Sequence, residues 1–147
     1  MALPTREEAM DLLRTHTQNE NLIKHMLAVE ASMRAYARKF GENEALWGIT
    51  GLLHDFDYEK HPTPDEHPMF GVRILEEKGY PGEMIHAIKA HATYLDVPRE
   101  SLLDKALFAV DELTGFIVAV TLMQPTRKLS DLKVSSVRKR VGQNFNS

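Results

Sequence analysis

Apolar positions along the chain recur in steps of three and four and never alternate in twos, so the pattern predicts helices and no strands. Between Asn19 and Phe40 the residues Leu22, Met26, Val29, Met33, Tyr36 and Phe40 form one stripe, closed by Gly41. His25 sits on that helix about 60° from the stripe's centre, at 100° per residue. A shorter helix precedes it, from Pro4 to about His16, with Thr5 as cap and Glu7 and Glu8 in its first turn. A third runs from Asn43 to about Phe56. Its nearly unbroken apolar run, Ala45 to Leu53, contains Gly48 and Gly51 but no Pro, which predicts a buried helix packed closely on its neighbours. Tyr58 to Glu66, with Pro62 and Pro64, reads as a loop. A fourth helix opens with His67 as cap and Pro68 at the first helical position, and stops at Lys78-Gly79. After the turn Tyr80-Pro81-Gly82, a fifth runs from Glu83 to about Ala92 with Met84, Ile88 and His91 on one face. A sixth starts between Pro98 and Ser101 and runs to about Gln124, where Pro125 ends it. The fold expected is all-α, a single compact domain of six or seven helices over residues 1–147. Its functional core covers about 19–124, followed by a basic tail, 125–147, with a short helix at Ser136 to Gly142.

Composition narrows the class. The 147 residues, 43% hydrophobic and 27% charged, make one ordinary globular domain. A net charge of −3 lacks the basic balance of a nucleic-acid binder, so no nucleic-acid polymer is expected as partner. With no cysteine, disulfides and thiolate metal sites are excluded. No stretch approaches the roughly 20 apolar residues that span a bilayer. The first residues, Met1 to Glu8, carry acids where a signal peptide needs bases. A cytoplasmic protein without a membrane partner is expected, and the oligomeric state is left open.

Chemistry concentrates at Leu52-Leu53-His54-Asp55-Phe56-Asp57, where the apolar run of the third helix gives out. A carboxylate carried into that interior costs several kcal/mol unless a positive charge meets it, and no Arg or Lys stands on that face. His25, His54, Asp55, His67, His91 and Asp111 all fall at inward-facing positions of several helices. A single His on a helix is usually a structural or surface residue, Asp55 could cap the next turn, and Asp111 could bond Thr114. Their joint occurrence favours a shared cation. His25, His54, Asp55 and Asp111 make a nitrogen–oxygen site, and His67 and His91 complete a second if Asp55 bridges. Imidazole with carboxylate suits one or two divalent transition-metal ions, Fe, Mn, Co, Ni or Zn, better than Mg or Ca. His86 points about 140° away from His91 and is read as solvated, as are His16 and His61 at chain reversals. Asp57 and Glu59 are candidates to orient a water or a ligand imidazole. Lys60, Lys89, Lys105 and Arg127 are candidate phosphate contacts. The basic tail could cover a pocket mouth, bind a polyanion or be a solvated helix face.

The order His25, His54-Asp55, Asp111 resembles the HD superfamily of metal-dependent phosphohydrolases. The segment His67-Pro68-Met69-Phe70-Gly71-Val72-Arg73-Ile74-Leu75 is similar to the His-Pro-x-x-Gly-x-x-Ile-Leu of its two-metal branches, and His91 matches their second added His. Phe56-Asp57 stands where Ile-Gly often follows the pair. Gly79-Tyr80-Pro81 spells a tripeptide of the cyclic-di-nucleotide phosphodiesterase branch, but it precedes His91 and is read as a turn. Asp111-Glu112-Leu113-Thr114-Gly115-Phe116 is similar to a group of small bacterial and archaeal members without a known substrate. The resemblance implies one ion on His25, His54, Asp55 and Asp111 and another on Asp55, His67 and His91. It also implies cleavage of a small phosphoester, nucleotides included, by a metal-bound hydroxide. His54 and Asp55 would be catalytic; Lys60 and Lys105 are expected as substrate contacts from their nearness in sequence to the ligand-bearing segments. The rivals are a di-iron oxygenase of the same fold and a catalytically silent metal- or nucleotide-binding module.

Overall fold

The computed structural model describes residues 2–146, with side chains through Val141; Met1 and Ser147, which bound the expected single domain, lie outside the described residues. Helices account for the regular structure, with no strand among the described residues. They are α1 (Arg6–His16), α2 (Glu20–Phe40), α3 (Glu44–Leu53), α4 (Met69–Glu77), α5 (Gly82–His91), α6 (Leu102–Leu122) and α7 (Val134–Asn146). Short 3-10 turns lie at Thr93–Leu95 and Leu129–Asp131. No helix among the described residues is long and apolar enough to cross a membrane. The chain divides into two compact units, Met1–Asp111 and Glu112–Ser147.

Local chemistry sets the helix starts. Thr5 and Glu8 form a reciprocal capping box on α1, at 3.1 and 3.2 Å. The Asn19 side chain accepts from the Asn21 and Leu22 amides to start α2, and Asn43 does the same for α3 through Leu46 N–H. Gly41, at φ 70°, ends α2 in the left-handed conformation that costs glycine nothing.

In the first unit α3 is the buried axis, with every residue from Leu46 to Leu53 buried. Its tightest partner is α2, and the two glycines explain how close the helices come. A Cβ on Gly51 would lie 3.0 Å from Met33 Cγ and 3.2 Å from the Val29 backbone; one on Gly48 would meet the Arg34 guanidinium at 2.4 Å. Arg34 is pinned there by the buried Glu30 at 3.1 Å, and Glu30 also receives a two-pronged bond from Arg6 at 2.8 and 2.9 Å. Burial opposes ionisation of Glu30, but the two guanidinium groups outweigh it and hold the carboxyl below its usual value.

Several boundaries and faces differ from the sequence expectations. The buried face of α2 is Ile23, Met26, Val29, Glu30, Met33 and Ala37, rotated about 45° from the predicted stripe. Phe40 is exposed, and an ion pair fills the core position that an apolar count passes over. The third helix stops at Leu53 rather than Phe56, and residues 54–60 form turns that reach the start of α2. There the Glu59 carboxylate accepts from Gln18 and Asn19 N–H at 2.9 and 2.7 Å. His67 is not a helix cap: α4 begins at Met69 after a cis His67–Pro68 bond, and the His67 ring is engaged elsewhere. His16 is half-buried, its ring edge-on to Phe56 at 5.2 Å, and His61 stacks on Phe70.

The second unit holds the last turns of α6, one 3-10 turn and α7. Within it α7 starts at Val134, two residues before the expected start, and Arg127, Lys128, Lys133, Arg138, Lys139 and Arg140 are all exposed.

Candidate metal centre

Six side chains converge where α3 ends. His25 comes from the edge of α2, His54 and Asp55 from the turn after α3, and His67 from the residue before Pro68. His91 is the last residue of α5, and Asp111 lies midway along α6. Two groups form, each with its ligand atoms within 4.8 Å of one another: His25, His54, Asp55 and Asp111, and then Asp55, His67 and His91. Asp55 belongs to both because its two oxygens are divided. Oδ2 lies 3.3 Å from His54 Nε2, while Oδ1 lies 3.0 Å from both His67 Nε2 and His91 Nε2. Asp111 Oδ1 stands 3.0 Å from His25 Nε2 and 3.2 Å from His54 Nε2. The back of the cluster (His54, His67, His91) is buried, and its front is open, with the His25 and Asp111 side chains 23% and 24% exposed.

The rings are held from behind. His54 Nδ1 faces the Gly51 carbonyl at 2.7 Å, and His91 Nδ1 faces the Ile88 carbonyl. A carbonyl only accepts, so each Nδ1 carries the hydrogen and each Nε2 turns its lone pair toward a carboxylate. His67 Nδ1 donates to Asp57 Oδ1 at 2.6 Å, and Asp57 Oδ2 accepts the Gly71 amide at 2.9 Å. That amide approaches only because residue 71 is glycine: a Cβ there would lie 2.9 Å from the Phe56 ring and 3.2 Å from Asp57 Cγ. The His67 carbonyl is itself fixed by Tyr94 Oη–H at 2.6 Å.

Lone pairs aimed at anionic oxygens across 3.0–3.3 Å repel unless a cation lies between them. Without metal, protons take that place. Burial pulls the His54 imidazolium down, but the Asp55 and Asp111 carboxylates outweigh it and hold the ring well above its ordinary value. His67 is raised to about 9, burial again opposing and Asp55 and Asp57 prevailing. Burial likewise opposes ionisation of Asp55 and Asp111, yet the facing imidazoles hold both carboxyls well below the usual range. Two carboxylates and four imidazoles, with no Lys or Arg among them, form a donor set that fits divalent transition metals.

The remaining candidates lie as follows. Of the two acidic residues beyond the pair, Asp57 orients a ring of the cluster, whereas Glu59 binds the amides that start α2. Lys60 Nζ donates to the Thr15 carbonyl at 3.3 Å, Lys89 pairs with Glu76 at 3.8 Å, and Lys105 and Arg127 are exposed. His86, read as solvated, bonds the buried Asp104 at 2.8 Å. The Gly71–Asp57–His67 chain was not foreseen as a unit, although the Gly of His-Pro-x-x-Gly was its available signal; nothing in the sequence marked Tyr94 or Asp104.

Comparison with known proteins places these features in context. The family model described as HD domain matches residues 22–115. Ribonuclease Y of Oleidesulfovibrio alaskensis is 31% identical over 98 residues, 66% of this chain and 18% of the relative. Ribonuclease Y of Desulfotalea psychrophila is 31% identical over 97 residues, 65% and 18%. Ribonuclease Y of Lactobacillus acidophilus is 27% identical over 135 residues, 88% and 24%. The chain thus spans about a fifth of the length of these relatives. No solved structure matches. The expectation of no nucleic-acid polymer as partner is overturned, since these relatives are ribonucleases by name. It rested on a net charge of −3, a sum that hides six Lys and Arg in residues 112–147 set against only Glu112 and Asp131.

Proposed function

The chain belongs to the HD domain family, and on that footing we propose that the His/Asp cluster is the catalytic centre of a metal-dependent phosphohydrolase. The observation that carries the proposal is the divided Asp55 carboxylate, with one oxygen toward His54 and the other toward His67 and His91. His25, His54, Asp55 and Asp111 would hold one divalent ion, and Asp55, His67 and His91 a second. Such ions supply an activated water at neutral pH and neutralise charge on a phosphoryl group in flight. The chain's residues do the positioning. Asp57 and the Gly51 and Ile88 carbonyls keep three Nε2 lone pairs aimed inward, and the buried wall of His54, His67 and His91 leaves a phosphoester one approach, past His25 and Asp111. His54 and Asp55 touch the reacting region most directly. Lys60 and Lys105 are proposed as the phosphate contacts; Lys60 Nζ is bonded to the Thr15 carbonyl and Lys105 is exposed near the start of α6. The substrate class the relatives support is an RNA phosphodiester.

The test is metal analysis of protein purified without chelator, then turnover of single-stranded RNA oligonucleotides and of nucleotides with that metal restored. Metal-dependent phosphoester cleavage that vanishes in Asp55→Ala, with the helical fold retained by circular dichroism, is the expected result. Cleavage unaffected by Asp55→Ala or by chelation refutes the proposal. Oxygen consumption by iron-loaded protein that turns over no phosphoester replaces it with the oxygenase reading.

A further inference from the structure

Two tyrosines meet at His67. Tyr58, in the turn after the His54-Asp55 pair, sets its ring perpendicular to the His67 imidazole, with centroids 5.4 Å apart. Tyr94, in the 3-10 turn Thr93–Leu95, donates its Oη–H to the His67 carbonyl at 2.6 Å. His67 itself is buried, and its Nε2 lies 3.0 Å from the Asp55 oxygen that also faces His91. Both rings therefore stand one residue away from the Asp55–His67–His91 group. Burial chiefly, and then the nearby Asp55 and Asp57 carboxylates and Tyr58, raise the Tyr94 phenol above its ordinary value, which puts the two tyrosines and the shared carboxylate in one neighbourhood.

Much of each ring is left in water. Tyr58 is 42% exposed and Tyr94 47%. No cation covers either one, since the cation–π contact among the described residues is Arg99 on Phe108. A single exposed tyrosine is ordinary. Two of them fixed on the same buried ligand residue are not, because each is anchored at one point while its aromatic surface stays available. The other exposed aromatic of the first unit, Phe40, packs on Tyr36 and Trp47 at the last turn of α2, whereas His25 lies in the second turn of that helix.

We propose that Tyr58 and Tyr94 bind the unpaired nucleobase next to the phosphate held at the cluster, so that the substrate is single-stranded RNA. This inference rests on the phosphohydrolase reading of the cluster. One sugar separates a base from its phosphate, and one residue separates the rings from the Asp55–His67–His91 group, so the spans match. Stacking is tolerant of sequence because every base has a π face, but a base paired within a duplex has no free face to offer. Rings already anchored on His67 lose little freedom when a base settles on them.

The probe is 2-aminopurine, whose fluorescence falls when it stacks, placed in a phosphorothioate-linked tetraribonucleotide that resists cleavage. The full chain with Mn2+ should quench it saturably. Tyr58→Ala and Tyr94→Ala should each weaken binding by about 5- to 100-fold and reduce the quench. Tyr58→Phe and Tyr94→Phe keep the ring and should stay within threefold of wild type. Tyr94→Ala also frees the His67 carbonyl, so Tyr58→Ala, which breaks no hydrogen bond, carries the test alone if Tyr94→Ala loses metal. Cleavage of a short RNA and of the same strand made abasic then separates base from phosphate: the alanine variants should raise KM for the first and leave it unchanged for the second. Alanine variants that bind and cleave as wild type overturn the proposal. So does an equal loss on both strands, or an equal loss in the Phe and Ala variants, either of which would make the tyrosines supports of His67 alone. A ring-dependent quench in a chain that cleaves no phosphoester would uphold the base site and refute the phosphohydrolase reading; cleavage without that quench would do the reverse.

Discussion

Replacing Asp57 by Asn tests whether the cluster depends on the groups behind it. Asn keeps the size of Asp, and its amide oxygen can still accept the Gly71 N–H, now at 2.9 Å from Asp57 Oδ2. Its NH2 group then faces His67 Nδ1, which sits 2.6 Å from Asp57 Oδ1 and carries a hydrogen of its own. Two donors cannot bond, so His67 either abandons the contact or moves its hydrogen to Nε2. The second course removes the lone pair from the atom 3.0 Å from Asp55 Oδ1. Loss of such a supporting carboxylate costs a metal site about 10–100-fold in affinity, or roughly 1.4–2.8 kcal/mol. The cost should fall on one ion only, because His67 belongs to the Asp55–His67–His91 group and not to the other. Competition with a chromophoric chelator resolves the two: one Mn2+ or Zn2+ should weaken 10–100-fold in Asp57→Asn while the other changes less than threefold. Two wild-type affinities would mean that Asp57 does not position His67. Equal weakening of both ions in a folded variant would mean that the groups are not separate sites.

Three further outcomes follow from the same structure. In chelator, the chain should lose stability as pH rises from 6.5 to 9. Below 6.5 His67 is protonated folded or unfolded, and within the window only the folded chain holds its proton, up to about 9. At 1.36 kcal/mol per pH unit this is on the order of 3 kcal/mol, with His54 acting in the same direction, and a urea midpoint flat or rising over that window would refute it. Metal affinity should rise across the same range, since binding needs neutral imidazole. Gly51→Ala should lower thermal stability by about 1–3 kcal/mol, because its Cβ would lie 3.2 Å from the Val29 backbone. Gly115→Ala, with nothing within 4 Å, should gain roughly 0.5–1 kcal/mol; the reverse order in calorimetry would refute the packing reading. His86→Ala should leave metal stoichiometry unchanged while costing about 1–3 kcal/mol of stability, since Asp104 loses a bond. Lost metal would tie His86 to the cluster.

What could be read from the sequence divides by the range of the interaction. Helix positions follow from local signals such as Asn19, Asn43 and Gly41, and the close packing of α3 follows from Gly48 and Gly51 without any knowledge of what lies opposite. The six residues of the cluster were legible because imidazole and carboxylate at inward positions are costly alone. What lay opposite was not legible. Glu30 takes a core position on α2 because Arg6, 24 residues earlier, reaches it, and no periodicity encodes that partner. Asp104 looks in sequence like an ordinary residue of a helix start, and only the packing of α5 against it brings His86 to its Oδ2. The same limit applies to partners: a whole-chain charge carries no information on where the charges sit, so it could not exclude RNA.

The two ends of the α3, α5 and α6 group pose the same electrostatic problem and solve it differently. At one end Asp55 and Asp111 meet imidazoles whose lone pairs also point inward, so the negative charge is balanced only by a species that accepts from every side, a proton in the bare chain or a cation when one is present. At the other end His86 presents a hydrogen rather than a lone pair to Asp104, and one oxygen is balanced internally while the second is left over. The first arrangement needs an ion that coordinates several donors at once, whereas the second is closed within the chain, with three bonds on one Asp104 oxygen and the other shut off from solvent. Metal added to the chain should therefore leave Trp47 fluorescence unchanged, because Trp47 stands at the start of α3 and the cluster at its end. A metal-dependent change in Trp47 fluorescence would mean that one electrostatic field, rather than two separate arrangements, governs both ends.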